Sequence, residues 1–368
     1  MERQVNHDQH FMKLALDLAA TAKGKTTPNP VVGAILVKEG QIVGMGVHRK
    51  AGEPHAEVHA FRMAGEHTKG ATLYVTLEPC SLVGGTAPCA EMVKNAGVAR
   101  VVVAMQDPNP LMAGRGIQLL REHGIRVDVG VLEAEAELLN ERYVHNMTKQ
   151  LPFVISNVAM TLDGKLAAHT GHSQWITGAQ VQQEVHQLRS EVDGILVGIQ
   201  TVLADNPRLT ARLPERSKQP TRIILDTNLR LPVTAHVADC SEAQTWIATR
   251  EGADPEKVSA LKQRGLDILF VPQAEYGLDL HALMSILYQR GITDLMVEGG
   301  SEINGSFLRT KLINKWLIYI APKILGGRNS FTPFGGTDVE TVDEAWNVTI
   351  HSTRLVGEDI CITAYPND

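Results

Sequence analysis

His55-Ala56-Glu57, followed by Pro79-Cys80 and then Cys89, restricts the fold of this chain more than any other feature. One histidine and two cysteines form a ligand set for a single zinc ion, so segments far apart in sequence must converge on one point. Pro54 suits the first turn of a helix, Pro88-Cys89 opens another, and Thr72 to Leu77 reads as a strand ending at Glu78-Pro79-Cys80. The ligands therefore fall at element ends. A thiolate at a helix N-terminus is favoured by the unsatisfied N–H groups and the macrodipole, by roughly 0.3–1 kcal/mol when exposed.

Ligands from His55, Cys80 and Cys89 leave the fourth tetrahedral position open. Zinc lowers the pKa of bound water to about 7, which makes hydroxide available at neutral pH. Glu57 lies close enough to His55 to move protons without being a ligand. A closed structural zinc site is the alternative, but it needs a fourth ligand and no third cysteine lies nearby. A second alternative pairs His55 with His59 on one helical face. The zinc-protease pattern wants glutamate directly after the first histidine, and Ala56 stands there, so His59 reads as a packed or exposed helix residue.

At 368 residues the chain fits two domains of ordinary size. No segment approaches the roughly 20 apolar residues needed to cross a bilayer, and the polar start MERQVNHDQHF lacks the apolar core of a signal peptide. The expected setting is cytoplasmic, with no membrane partner. Cys80, Cys89, Cys240 and Cys361 are too few for a disulfide scaffold, and Cys240 and Cys361 read as plain thiols. A formal charge of −6 without a basic run argues against a nucleic-acid partner.

Both halves alternate helical and strand patterns, which places the chain in the α/β class. In the first half, helices are expected at Phe11 to Ala22, after Pro54, from Cys89 and at Ile117 to His123. Strands are expected at Val31 to Val37, Ile42 to Val47, Thr72 to Leu77, Val101 to Ala104 and Ile125 to Val131, giving a sheet sandwiched by helices. The polar stretch from Asn146 to Pro152 marks a boundary between domains at 1–147 and 148–368. Seven strands and three helices are expected beyond it, with Val297-Glu298-Gly299-Gly300-Ser301 at a strand end entering a helix. Side-chain-free backbone there can accept a dinucleotide phosphate, although Gly-Gly at such a position is by itself only a turn signal.

The zinc set, with Thr27-Pro28-Asn29-Pro30, the Glu53 to Ala60 run, Thr76 to Ser81 and Asp107-Pro108-Asn109-Pro110, resembles the deaminase domain of the bifunctional deaminase/reductases of riboflavin biosynthesis. The eight residues between Cys80 and Cys89 exceed the two of other nucleobase deaminases and point to an inserted loop. The second half is similar to the reductase domain of the same family, through Ser156 to Lys165, Ser173 to Thr177, Val197 to Thr210 and Ala321 to Gly327. The resemblance implies a cytidine-deaminase-like three-layer domain followed by a dihydrofolate-reductase-like α/β domain.

It also implies the chemistry. Zinc-dependent hydrolysis removes the 2-amino group of 2,5-diamino-6-(5-phosphoribosylamino)pyrimidin-4(3H)-one, and NADPH then reduces the ribosyl group to ribityl. By position, Asn29 and His48 would contact the deaminase substrate. Ala159, Trp175, Thr201, Asp205, Thr227 and the run Gly300, Ser301, Glu302, Ile303, Asn304, Gly305 and Ser306 would contact the cofactor. Ser173, Arg189, Leu209, Arg212 and Glu298 would contact the reductase substrate. The resemblance suggests a homodimer or homotetramer. The chain departs from the family at Leu82, where histidine is usual, and at Gly85, where a basic residue associated with the ribose phosphate is usual. Two readings follow: both activities, or a working reductase fused to a weak or repurposed deaminase. Asn157 replaces a lysine common in bacterial members, which removes one source of a proton.

Overall fold

A computed structural model describes residues 2–81, 88–214 and 218–367. The chain divides into two compact units, Met1–Gln150 and Leu151–Asp368.

The first unit contains β1 (Gly33–Lys38), β2 (Gln41–Val47), β3 (Thr72–Leu77), β4 (Arg100–Met105) and β5 (Arg126–Val129). Its helices are α1 (Glu2–Ala20), α2 (Ala56–Ala64), α3 (Cys89–Asn95), α4 (Arg115–Glu122), α5 (Glu133–Leu139) and α6 (Glu141–Lys149). The sheet order is β2-β1-β3-β4-β5, antiparallel across β2-β1-β3 and parallel from β3 to β5. Alternation along the strands makes two cores. Leu36, Leu73, Val75, Val101 and Val103 face α2, α3 and α4, whereas Ile35, Val37, Tyr74 and Val102 face α1 and α5. Each large apolar side chain so buried contributes roughly 1.5–3 kcal/mol.

α2 lies unusually close to the sheet. Its Ala56, Ala60 and Ala64 recur at helical spacing over Gly44 and Gly46 of β2. A Cβ at Gly46 would stand 2.0 Å from the Ala56 carbonyl oxygen, and one at Gly44 would stand 2.2 Å from that of Ala60. This packing seats the helix start, and with it His55 and Glu57, against the sheet.

The second unit contains β6 (Phe153–Thr161), β7 (Gly194–Gly198), β8 (Thr221–Leu225), β9 (Thr245–Arg250), β10 (Asp267–Val271), β11 (Asp294–Val297), β12 (Lys315–Ala321), β13 (Val348–Val356) and β14 (Asp359–Pro366). Its helices are α7 (Ala179–Glu191), α8 (Ile199–Asp205), α9 (Pro255–Gln263), α10 (Leu280–Gln289) and α11 (Ser301–Arg309). The sheet order is β10-β9-β8-β7-β11-β6-β12-β14-β13, parallel except where β14 runs against β12 and β13. α10 and α11 pack on one face around Leu283, Leu287 and Phe307; α8 and α9 pack on the other around Val202 and Leu261.

Several elements differ from the sequence reading. The expected polar boundary from Asn146 is helical through Lys149, because α6 is amphipathic and turns Tyr143, Val144 and buried Asn146 inward. Helices α5, α8 and α9 and the β13–β14 hairpin were not expected from pattern. β13 exposes all but its last residue, so no buried alternation marks it.

Candidate active sites

In the first unit the ligand atoms of His55, Cys80 and Cys89 lie within 4.8 Å of one another. His55 Nδ1 is 3.3 Å from Cys89 Sγ and 3.6 Å from Cys80 Sγ, separations that suit a tetrahedral N/S₂ site. His55 precedes α2, Cys80 follows β3, and Cys89 is the first residue of α3, whose backbone N–H donates to Cys80 Sγ at 3.3 Å. The hydrogen bond with Cys89 lowers the Cys80 thiol, while that bond and burial push Cys89 up, an arrangement in which a bound cation would displace the remaining thiol proton. The donor set and its acidity both fit zinc. His59 is outside the cluster; it is half-buried on α2.

Glu57 is 3% exposed, and burial raises its carboxyl above the usual range. Burial thus favours the protonated form more than it does in an exposed carboxyl, which suits a group that accepts a proton and passes it on. A cavity of about 160 Å³ is lined by Asn29, His48, His55, Glu57, Cys80, Asp107 and Tyr143 among others. Pro54 offers His48 only a carbonyl oxygen, at 3.3 Å, so His48 Nδ1 donates there and Nε2 accepts from Asn29 Nδ2 at 3.2 Å. Burial lowers the His48 pKa and keeps the ring neutral. Two of the expected zinc ligands, the proton carrier and the pyrimidine contacts thus share one small chamber, with Cys89 behind its lining and within ligand distance of His55 and Cys80. Leu82 and Gly85 lie outside the described residues.

Sequence reasoning assigned nothing to Glu78. Its carboxylate, 4% exposed, accepts from the backbone N–H groups of Asp107 at 3.2 Å, Gly114 at 2.9 Å, Gly116 at 2.8 Å and Ile117 at 3.2 Å. It ties the strand end that carries Cys80 to the start of α4 and to the Asp107 loop. A charged residue between a buried strand and a proline was the one available signal. Asp107, from the quoted motif, accepts from the Tyr143 hydroxyl at 3.0 Å.

In the second unit a crevice of about 810 Å³ opens at the C-terminal ends of the parallel strands β8, β7, β11 and β6, the customary ligand position in such sheets. Ala159, Ser173, Thr201, Asp205, Thr227, Glu298, Gly300, Ser301, Glu302, Ile303 and Ser306 line it. Gly300 caps α11 without a side chain, leaving the helix start open toward a phosphate, which fits a dinucleotide. Asn304 and Gly305 lie beneath this wall; Asn304 Nδ2 donates to the carbonyls of Gly299 and Pro333, each at 3.1 Å.

The remaining expected contacts stand off the lining. Trp175 is 64% exposed, and Leu209 is buried in the core. Arg189 Nε and Nη2 donate to Glu298 at 2.8 and 2.5 Å, and Nη1 donates to the Thr210 carbonyl at 3.2 Å. Arg189 therefore fixes Glu298 at the crevice wall. Arg212 has a freer guanidinium, with one contact to Thr210 Oγ1 at 3.4 Å. Arg230, Tyr276 and Phe331 also line the crevice and were not expected.

Residues 5–105 match the family described as the cytidine and deoxycytidylate deaminase zinc-binding region, and residues 152–362 match the RibD C-terminal domain. The riboflavin biosynthesis protein RibD of Aquifex aeolicus is 46% identical over 355 residues, covering 96% of this chain and 97% of the relative. Its counterpart in Bacillus amyloliquefaciens is 43% identical over 361 residues, covering 98% and 97%. Among solved structures, form 1 of Acinetobacter baumannii RibD superposes with a TM-score of 0.88 at 36% identity, covering 99% of this chain and 100% of that one. The Thermotoga maritima diaminohydroxyphosphoribosylaminopyrimidine deaminase/5-amino-6-(5-phosphoribosylamino)uracil reductase superposes with a TM-score of 0.84 at 34% identity, with 99% and 100% covered.

Proposed function

Because the chain belongs to the family of the riboflavin biosynthesis protein RibD, we propose that its two units divide that family's two reactions between them. The protein is a bifunctional enzyme, a zinc-dependent deaminase and an NADPH-dependent reductase acting on pyrimidine ribosylamino intermediates. The first unit, proposed as residues 1–147, deaminates 2,5-diamino-6-(5-phosphoribosylamino)pyrimidin-4(3H)-one. The second, 148–368, reduces the product's ribosyl group to ribityl. The observation that carries this division is the convergence of His55, Cys80 and Cys89 beside buried Glu57 in a unit separate from the crevice.

Zinc, when bound, supplies the Lewis acidity that makes water nucleophilic near neutral pH. Asn29 and neutral His48 orient the pyrimidine ring. Glu57 would take one proton from the attacking water and deliver it to ring nitrogen, then carry the proton of the newly added hydroxyl to the amino group, so that ammonia leaves as the carbonyl forms. In the second unit, NADPH supplies hydride when bound. The start of α11 receives cofactor phosphate, Glu298 is held toward the substrate by Arg189, and Arg212 is placed for the substrate's phosphate monoester. Association into a homodimer or homotetramer is part of the proposal; the solvent-facing β13 supports it.

Mass analysis of products tests the division. Incubation with the diaminopyrimidine ribotide alone is expected to exchange the amine for a carbonyl, and added NADPH then to deliver two reducing equivalents. Hydride uptake by a supplied deaminated substrate, with the amine never lost, would leave only the reductase.

A further inference from the structure

We propose that Arg230 binds the 2′-phosphate of the cofactor's adenosine ribose and so sets the preference for NADPH over NADH. This rests on the NADPH reading above. The two nucleotides differ only in that dianionic phosphate, so discrimination has to come from the group that meets it.

Arg230 is the only cationic side chain among the described residues lining the crevice, whereas Asp205, Glu298 and Glu302 on the same lining are acidic. Position supports the match. The open start of α11 follows β11, and Arg230 follows β8, which is separated from β11 by β7 alone. At strand spacing that offset is roughly 10 Å, the scale on which an adenosine extends from its pyrophosphate. Leu225, Tyr276, Leu278 and Leu280 lie at this end of the crevice and give the adenine an apolar bed.

The loop that carries Arg230 is built to hold it still. Leu229 and Leu231 are each 1% exposed and anchor the chain on either side. Asp226, fully buried, accepts from the Leu231 N–H at 2.8 Å through Oδ2, and its carbonyl accepts from the Leu229 N–H at 3.1 Å. Between these anchors the Arg230 side chain is 46% exposed, with Nε 4.0 Å from Asp226 Oδ1, a buried oxygen that has no hydrogen-bond partner. Among the described residues Arg230 itself makes no hydrogen bond, so its planar donor fork, on the crevice lining, is unspent.

Calorimetric titration of the wild type, Arg230→Met and Arg230→Lys with NADPH and with NADH tests the assignment independently of turnover. Arg230→Met is expected to weaken NADPH binding roughly tenfold to hundredfold while leaving NADH within about twofold, and Arg230→Lys to recover part of the loss. Equal weakening of both nucleotides would place Arg230 on the pyrophosphate or in the scaffold, and unchanged affinity for both would remove it from the site; either overturns the proposal. A wild type that binds neither nucleotide would overturn the NADPH reading itself.

Discussion

Glu57 and Glu78 are both buried carboxylates, yet their surroundings give them opposite work. Burial raises Glu57, whose neighbours are the metal ligands, and this suits a group that must carry a proton. Glu57→Gln keeps the size and removes the carboxylate. It is expected to slow ammonia release at least about 10²-fold, with zinc content by metal analysis and reduction of deaminated substrate both unchanged. Loss of zinc in that variant would make Glu57 a ligand instead. Glu78 instead spends both oxygens on backbone N–H groups around the start of α4. Glu78→Ala strands those donors and is expected to cost about 3 kcal/mol or more in urea unfolding of the first unit, and Glu78→Gln, which keeps one acceptor, to cost less. The zinc ligands were legible because a proline directly precedes each of them at the element end on which it sits. The work of Glu78 was not, since its partners lie 29 to 39 residues away and only folding brings them together.

Elements with one buried face announced themselves by period. α10 and α11 were expected to within a few residues, because apolar residues repeat on the face they bury, and β3, apolar on both faces, was expected at its observed bounds. β13 carries no such signature, and α5 presents Ala136 alone as a fully buried residue. How α1 is fastened to its sheet was equally hidden. Arg100 of β4 donates through Nη1 and Nη2 to Asp8 at 2.7 and 2.8 Å, and the Tyr74 hydroxyl donates to the same carboxylate at 2.8 Å. Burial alone would raise the Asp8 pKa, but these bonds outweigh it and the net shift is downward. A carboxylate depressed in the folded state stabilises fully above its unfolded pKa, near 3.9, and loses that contribution as pH falls through the lower folded value. Asp8→Asn is therefore expected to destabilise by about 3 kcal/mol at pH 7. The gap to wild type should narrow as the pH of the unfolding titration drops below about 4; a gap constant to pH 3 would dismiss the ion pair as its source.

At the scale of the molecule, two sheets of different topology give each reaction its own core and its own mouth. Chelation is therefore expected to silence deamination while leaving the initial rate of hydride transfer to a supplied deaminated substrate within about twofold, with zinc restoring the first. Parallel loss of both rates would mean that the metal supports the second unit as well. The seam beneath α2 has a different bearing, on descent. A side chain at Gly46 would meet the helix backbone at Ala56, between His55 and Glu57, and one at Gly44 would meet it a turn further on at Ala60. A heritable change at either position would therefore have to arrive together with a shift of α2, so substitution along this seam is limited by how near a helix can lie to a strand.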